Sequence, residues 1–90
     1  MDARLKRIAD TYGRQEQLRQ LMEECGELSV EASHSIRREG IDIAFIKEIA
    51  DTEIMLEQIK YLFNIPKKDI DEIKEQKIAR QIRRIENYEV

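Results

Sequence analysis

The chain has 90 residues, 41% hydrophobic and 39% charged, with 16 basic against 19 acidic side chains and a net charge of −3. That bounds it to one domain, spanning 1–90, too apolar for disorder and without the basic excess that nucleic-acid binding draws on. One cysteine, Cys25, and one histidine, His34, exclude an internal disulfide and a zinc site. No apolar run approaches the roughly 20 residues that cross a bilayer, so no membrane contact is expected. The charged start MDARLKRIAD has no signal-peptide core, and the expected location is the cytoplasm. A chain this short buries only about 60–65% of its unfolded surface, so oligomerisation is expected from size alone.

In chain order, the segment DARLKRIADTY predicts a short first helix ended by Gly13, with Leu5, Ile8 and Ala9 as its apolar side. The stretch RQEQLRQLMEECGELSVEASHSIRRE predicts a long second helix. Leu18, Leu21, Met22, Cys25, Leu28, Ala32 and Ile36 recur in it at helical spacing and define its expected core face. Arg37 and Arg38 suit a C-terminal dipole, and Gly40 suits the residue just past the end. Asp42 is the expected cap of a third helix, IAFIKEIADTEIMLEQIKYLFN, with Phe45, Ile49, Leu56, Ile59 and Phe63 on one side. Pro66 stops that helix and starts a fourth, KKDIDEIKEQKIARQIRRIENY. Strand signals are absent. The expected fold is all-α, a bundle of three long antiparallel helices plus a short N-terminal helix, completed by oligomerisation.

The carboxylates carry the chemical signal. Positions three apart lie about 60° apart round a helix, and positions seven apart about 20°. Glu24, Glu27 and Glu31 therefore form one stripe, with Glu24 bordering the apolar face. Glu48 projects between Phe45, Thr52 and Ile59, inside an apolar face, and Asp51 sits at its edge. Two helices thus aim acid pairs inward, Glu24 with Glu27 and Glu48 with Asp51. Unpaired buried charge costs several kcal/mol. The acids must protonate, pair with Arg37, Lys47 or another base, or hold a divalent cation. An all-carboxylate donor set favours Mg²⁺ or Mn²⁺, and Mg²⁺ commonly shares its shell with substrate phosphates. That points to nucleotide or pyrophosphate chemistry. The plain alternative for the glutamates of the second helix is a solvated surface.

On the fourth helix, Lys77, Gln81 and Arg84 share one stripe that would suit phosphate oxygens, or else form a solvated basic face. The spacing Glu31-x-x-His34 has the form used in di-iron bundles, but a second copy of the motif is missing. Cys25 reads as a small core residue. Tyr12, Tyr61 and Tyr88 are scattered and suit amphipathic packing or base stacking. A different class stays open: a non-catalytic helical interaction or regulatory module, in which the acids decorate a surface.

Glu23-Glu24-Cys25-Gly26-Glu27 followed, after twenty residues, by Glu48-Ile49-Ala50-Asp51 resembles the E-E-x-x-E and E-x-x-D signature of the MazG-like all-α nucleoside triphosphate pyrophosphohydrolases. The resemblance extends over roughly residues 12 to 86. KIARQIRR is similar to a downstream K-x-x-x-N-x-x-R element through Lys77 and Arg84, with Gln81 in place of Asn. The resemblance implies hydrolysis of a (d)NTP between the α and β phosphates, giving the monophosphate and pyrophosphate. It implies Mg²⁺ (or Mn²⁺) held by Glu24, Glu27, Glu48 and Asp51, with Lys77 and Arg84 on the phosphates. It also implies a homodimer or homotetramer that builds the site with a partner chain. Gln17 matches a Gln of the subgroup and is a candidate nucleotide contact, as is Gln81. Glu23 is a candidate for orienting water beside the metal.

Overall fold

The computed structural model describes residues 1–87; Tyr88, at the end of the expected fourth helix, lies outside them. Among the described residues three helices account for the architecture: α1 (Ala3–Arg38), α2 (Ile43–Leu62) and α3 (Lys67–Glu86), with no strand.

The expected break at Gly13 is present as a kink within a longer element, where two helical segments join. α1 runs through both predicted segments and is kinked at Gly13, whose φ of 82° and ψ of 173° lie outside the helical region. Gly13 interrupts the helical backbone there and re-aims it, because only glycine reaches that region readily. The kink lets the first three turns lean on the far end of α2. Ala9 is wholly buried there. The Tyr61 hydroxyl donates to Asp10 Oδ1 at 2.7 Å, and Lys6 Nζ lies 5.7 Å from the Tyr61 ring centre. Arg14 Nε donates to the Leu62 carbonyl at 2.9 Å, capping one of the free carbonyls that end α2, and its guanidinium lies over the Phe63 ring.

Helix ends follow sequence chemistry closely. Asp2 Oδ1 accepts from the Arg4 amide at 2.8 Å. Asp42 Oδ1 accepts from the Phe45 amide at 3.2 Å, so the expected cap of α2 is in place. The left-handed residue that closes α1 is Glu39, with φ 55°, rather than the expected Gly40. The chain turns one residue sooner, and the Gly40 amide bonds back to the Ser35 carbonyl at 3.2 Å.

The four-residue turn from Glu39 to Asp42 folds α2 back antiparallel to α1. Their seam alternates steps of three and four residues, as knobs-into-holes packing requires. From α1 it takes Gln17, Leu21, Glu24, Leu28, Glu31 and Ser35, and from α2 Phe45, Glu48, Thr52, Met55 and Ile59, all buried or half-buried. This seam is unusually polar. Ala9, Met55 and Ile59 are its buried apolar residues, and Gln17, Thr52 and Gln58 are buried beside them.

The expected core faces are therefore displaced by one row. Leu18, Met22, Cys25 and Ile36 on α1, and Ile49, Leu56 and Phe63 on α2, are exposed, Met22 by 74% and Ile36 by 79%. Each α1 apolar stripe is wider than one neighbouring helix covers, and the hairpin selected the row that also carries the acids. The exposed residues stand one position past the seam, about 100° round each helix. Because α2 runs antiparallel, that same step turns both stripes to one side of the hairpin. With Ile46 they make one continuous apolar face.

The expected three-helix packing is not formed within the chain. After Pro66, α3 departs, and its backbone makes no close approach to α1 or α2. Only its first two turns stay beside the end of α2, where Ile70 and Lys74 face Lys60 and Tyr61 across a cleft. The radius of gyration is 16.2 Å, against about 12 Å for a compact chain of this length. Exposed surface is 7360 Å², against roughly 5,500 Å² for a compact monomer of this size.

Candidate metal centre

Glu24 and Glu48 occupy facing seam positions on α1 and α2, and Glu27 follows one turn after Glu24 on the flank beside the seam. Each offers a carboxylate oxygen, and these oxygens lie within 4.8 Å of one another. Glu24 and Glu48 are half-buried, while Glu27 is exposed. Gln20 Nε2 donates to Glu24 Oε1 at 2.8 Å. The other oxygen of Glu24 and Oε2 of Glu48 are buried without a hydrogen-bond partner. The crowding raises the Glu48 carboxyl from its ordinary 4.5 to about 7. Burial is the first cause, followed by hydrogen bonding to Glu24 and Glu27 and then their negative charge.

Nothing basic relieves this cluster. Among the described residues the ion pairs are local, such as Arg38 with Asp42, Lys60 with Glu57 and Lys67 with Asp71. Neither Arg37 nor Lys47 pairs with the triad. Three converging carboxylate oxygens are a donor set that could hold a hard divalent cation such as Mg²⁺ or Mn²⁺; without one, Glu48 keeps a proton that it shares with Glu24 and Glu27.

Asp51 stands one turn past Glu48 on α2, exposed on the same flank as Glu27, and is not one of the three converging acids. Glu23 is exposed. Gln17 is buried in the seam at 4% exposure. Lys77 and Gln81 are exposed and Arg84 half-buried on α3, which the chain's own fold does not bring to the triad. Glu31 and His34 pair with each other at 3.5 Å, and neither belongs to the acid cluster. An added Cβ at Gly26 would meet nothing within 4 Å, so no segment of this chain packs closely against it.

Sequence reasoning missed Gln58, the largest fully buried side chain. It stands seven residues after Asp51 and so falls on the same stripe of α2. That spacing was the available signal.

The fold and the site define an all-helical hairpin carrying a three-carboxylate centre. No protein-family model, curated protein or solved structure matches the chain.

Proposed function

We propose that the protein is a divalent-metal-dependent nucleoside triphosphate pyrophosphohydrolase, cleaving a (d)NTP to the monophosphate and pyrophosphate. The observation that carries this reading is the convergence of Glu24, Glu27 and Glu48 from two helices with two buried oxygens left unpartnered. The order of the acidic motifs in the chain supports it.

When bound, Mg²⁺ or Mn²⁺ supplies charge neutralisation for the triphosphate and lowers the pKa of coordinated water. Glu24 and Glu48 would hold the cation from the seam, and Glu27 from the flank. Asp51, on that same flank, is the fourth acid available to it. Gln20 fixes one oxygen of Glu24, leaving the other for the ligand. Water attacks the α-phosphorus and gives up a proton to the solvent, the bond from that phosphorus to the α,β-bridging oxygen breaks, and pyrophosphate leaves with the electron pair. Lys77 and Arg84 neutralise that leaving group. Since α3 leaves its own hairpin, these two cations reach a triad in an assembly of two or four chains, joined through the exposed apolar face. Gln81, on the same stripe of α3, travels with them.

The test is a panel of NTPs and dNTPs with Mg²⁺, assayed for pyrophosphate. The native protein releases pyrophosphate from at least one, and Mg²⁺ or Mn²⁺ raises its melting temperature. Glu48→Gln abolishes release while retaining the helical spectrum. No release from any nucleotide, together with no thermal shift by either metal, would replace this reading with a non-catalytic helical interaction module.

A further inference from the structure

The α1–α2 seam holds three neutral polar atoms that its packing leaves unsatisfied. Gln17 Oε1, Thr52 Oγ1 and Gln58 Nε2 are buried without a hydrogen-bond partner. They have almost no accessible surface, so no ligand reaches them while the helices meet as they do. Only a change in how α1 and α2 pack would satisfy them. The same seam crowds Glu24 against Glu48, and its buried apolar residues are few: Ala9, Met55 and Ile59.

One position further along each helix stands a second row. Every polar seam residue except Thr52 is followed by an apolar one: Gln17 by Leu18, Glu24 by Cys25, Glu31 by Ala32, Ser35 by Ile36 and Glu48 by Ile49. Six of the eleven residues in the observed row are polar, against three of eleven in the next, which is broken only at Ser29, Glu53 and Lys60. The second row is therefore at least as good an interior as the first. Both halves of it face one side of the hairpin, so turning the two helices by about 100° in opposite senses brings them together. That turn carries Gln17, Thr52, Gln58 and the acids out to water. Among the described residues no ion pair crosses the seam to resist it. The turning part of α1 lies between Gly13 at the kink and Gly40 in the connection, where the backbone can swivel. The bonds that tie the far end, Tyr61 to Asp10 and Arg14 to Leu62, are made by side chains at the surface.

We propose that the hairpin has two seams, one residue apart, and that its ligands select between them. The free chain packs its apolar rows together and disperses the acids. A cation on Glu24, Glu27 and Glu48 selects the observed seam. A second copy seated on the apolar face selects it too, because that face exists only while the apolar rows point outward. Packed helices move between discrete arrangements instead of deforming continuously. Two ligands that favour one arrangement assist each other, so assembly tightens cation binding and the cation tightens assembly by the same factor. The inference rests on the proposed metal centre for the cation, whereas the two rows are independent of it.

Two methionines report the two rows on the intact chain. Met55 lies in the observed seam at 6% exposure, and Met22 on the outward row at 74%. Their methyl signals are followed by NMR with a soluble paramagnetic agent, at the lowest concentration that gives signal and with sedimentation to establish a monomer. In EDTA the Met22 methyl is shielded and the Met55 methyl is reached, while the helical signal falls by no more than the share of α3. Mg²⁺ reverses the two. A Met55 methyl shielded in EDTA overturns the switch. So does a hairpin that loses its helical signal, which is unfolding and not a change of seam. A chain still assembled at that dilution leaves no free form to switch and overturns it as well. In a second measurement, calorimetry gives the Mg²⁺ affinity of the native monomer and of the double variant Met22→Lys with Ile49→Lys. Lysines in the outward row bar that row from the interior, so the variant keeps the observed seam. It binds Mg²⁺ about tenfold or more tightly, because native affinity is reduced in proportion to the fraction of chains in the competent seam. Added positive charge alone would weaken binding, so equal or weaker binding overturns the proposal. Mg²⁺ binding with Met55 shielded throughout removes the switch and leaves the metal centre standing. Methionines that trade exposure on dilution yet ignore Mg²⁺ and Mn²⁺ remove the centre and leave the two seams.

Discussion

Glu48 holds its proton to about pH 7 because burial disfavours its charged form and because Glu24 and Glu27 converge on it. Its folded-state value is raised, so its stabilising contribution is complete below the ordinary value of 4.5 and is lost as pH rises through 7. The metal-free protein should therefore melt at a lower temperature at pH 8 than at pH 5. Millimolar Mg²⁺ should raise the melting temperature more at pH 8, where it no longer competes with the proton. Equal Mg²⁺ shifts at the two pH values would show that the triad does not take up the cation. Gly13 sets the kink in α1. Its φ of 82° with ψ of 173° is a region nearly closed to residues bearing a Cβ, although no neighbour lies within 4 Å of one. Gly13→Ala should cost about 1–3 kcal/mol through backbone strain alone. Thermal or urea unfolding measures this, and a neutral result would mean that the kink straightens without loss.

At the scale of elements, α1 and α2 differ from α3 in how they are held. The hairpin has a seam, capped ends and the Arg14 bond to Leu62. α3 has i,i+4 ion pairs from Lys67 to Asp71 and Lys68 to Glu72 and little else. Ile73, Ile78, Ile82 and Ile85 are about half exposed or more. A 20-residue helix of this composition is marginal in water without a packed face. Its helicity should therefore depend on protein concentration, since a second copy is what its isoleucines can bury. Circular dichroism at 222 nm should weaken on dilution by up to the share of α3. A spectrum unchanged from millimolar to micromolar would mean that α3 is stable alone.

For the whole molecule, the surplus of exposed surface over a compact monomer exceeds the roughly 800 Å² per partner of a standard interface. The apolar face of Met22, Cys25, Ile36, Ile46, Ile49 and Leu56 contributes to that surplus, as do the isoleucines of the detached α3. Placing charge at its centre, as Met22→Lys with Ile49→Lys, should leave the seam intact and give a monomer by sedimentation. Pyrophosphate release should fall with the loss of Lys77 and Arg84 in trans, while the Mg²⁺ thermal shift persists. A native protein that sediments as a monomer would remove the trans arrangement.

Much of this was legible in the residues. Helical periodicity, Asp42 as a cap and Pro66 as the start of α3 needed only local chemistry, because capping and φ restriction act within a few residues, whereas α2 already ends at Leu62 before a left-handed Asn64. The inward aim of Glu24 and Glu48 was legible too, since positions on one helix keep fixed angles to each other. Which row of α1 would meet which row of α2 was not. A wide apolar stripe allows more than one seam, and the pairing of two helices is decided by contacts between residues distant in the chain. That choice exposed Cys25, Leu56 and Phe63, buried Gln58, and set Asp51 on the rim. The departure of α3 was equally invisible, because its amphipathic pattern states that it has a face to bury and not whose surface buries it. Sequence alone determined the helices and the acids they carry; the tertiary structure decided which acids meet, because only packing across the turn brings positions 24 and 48 together.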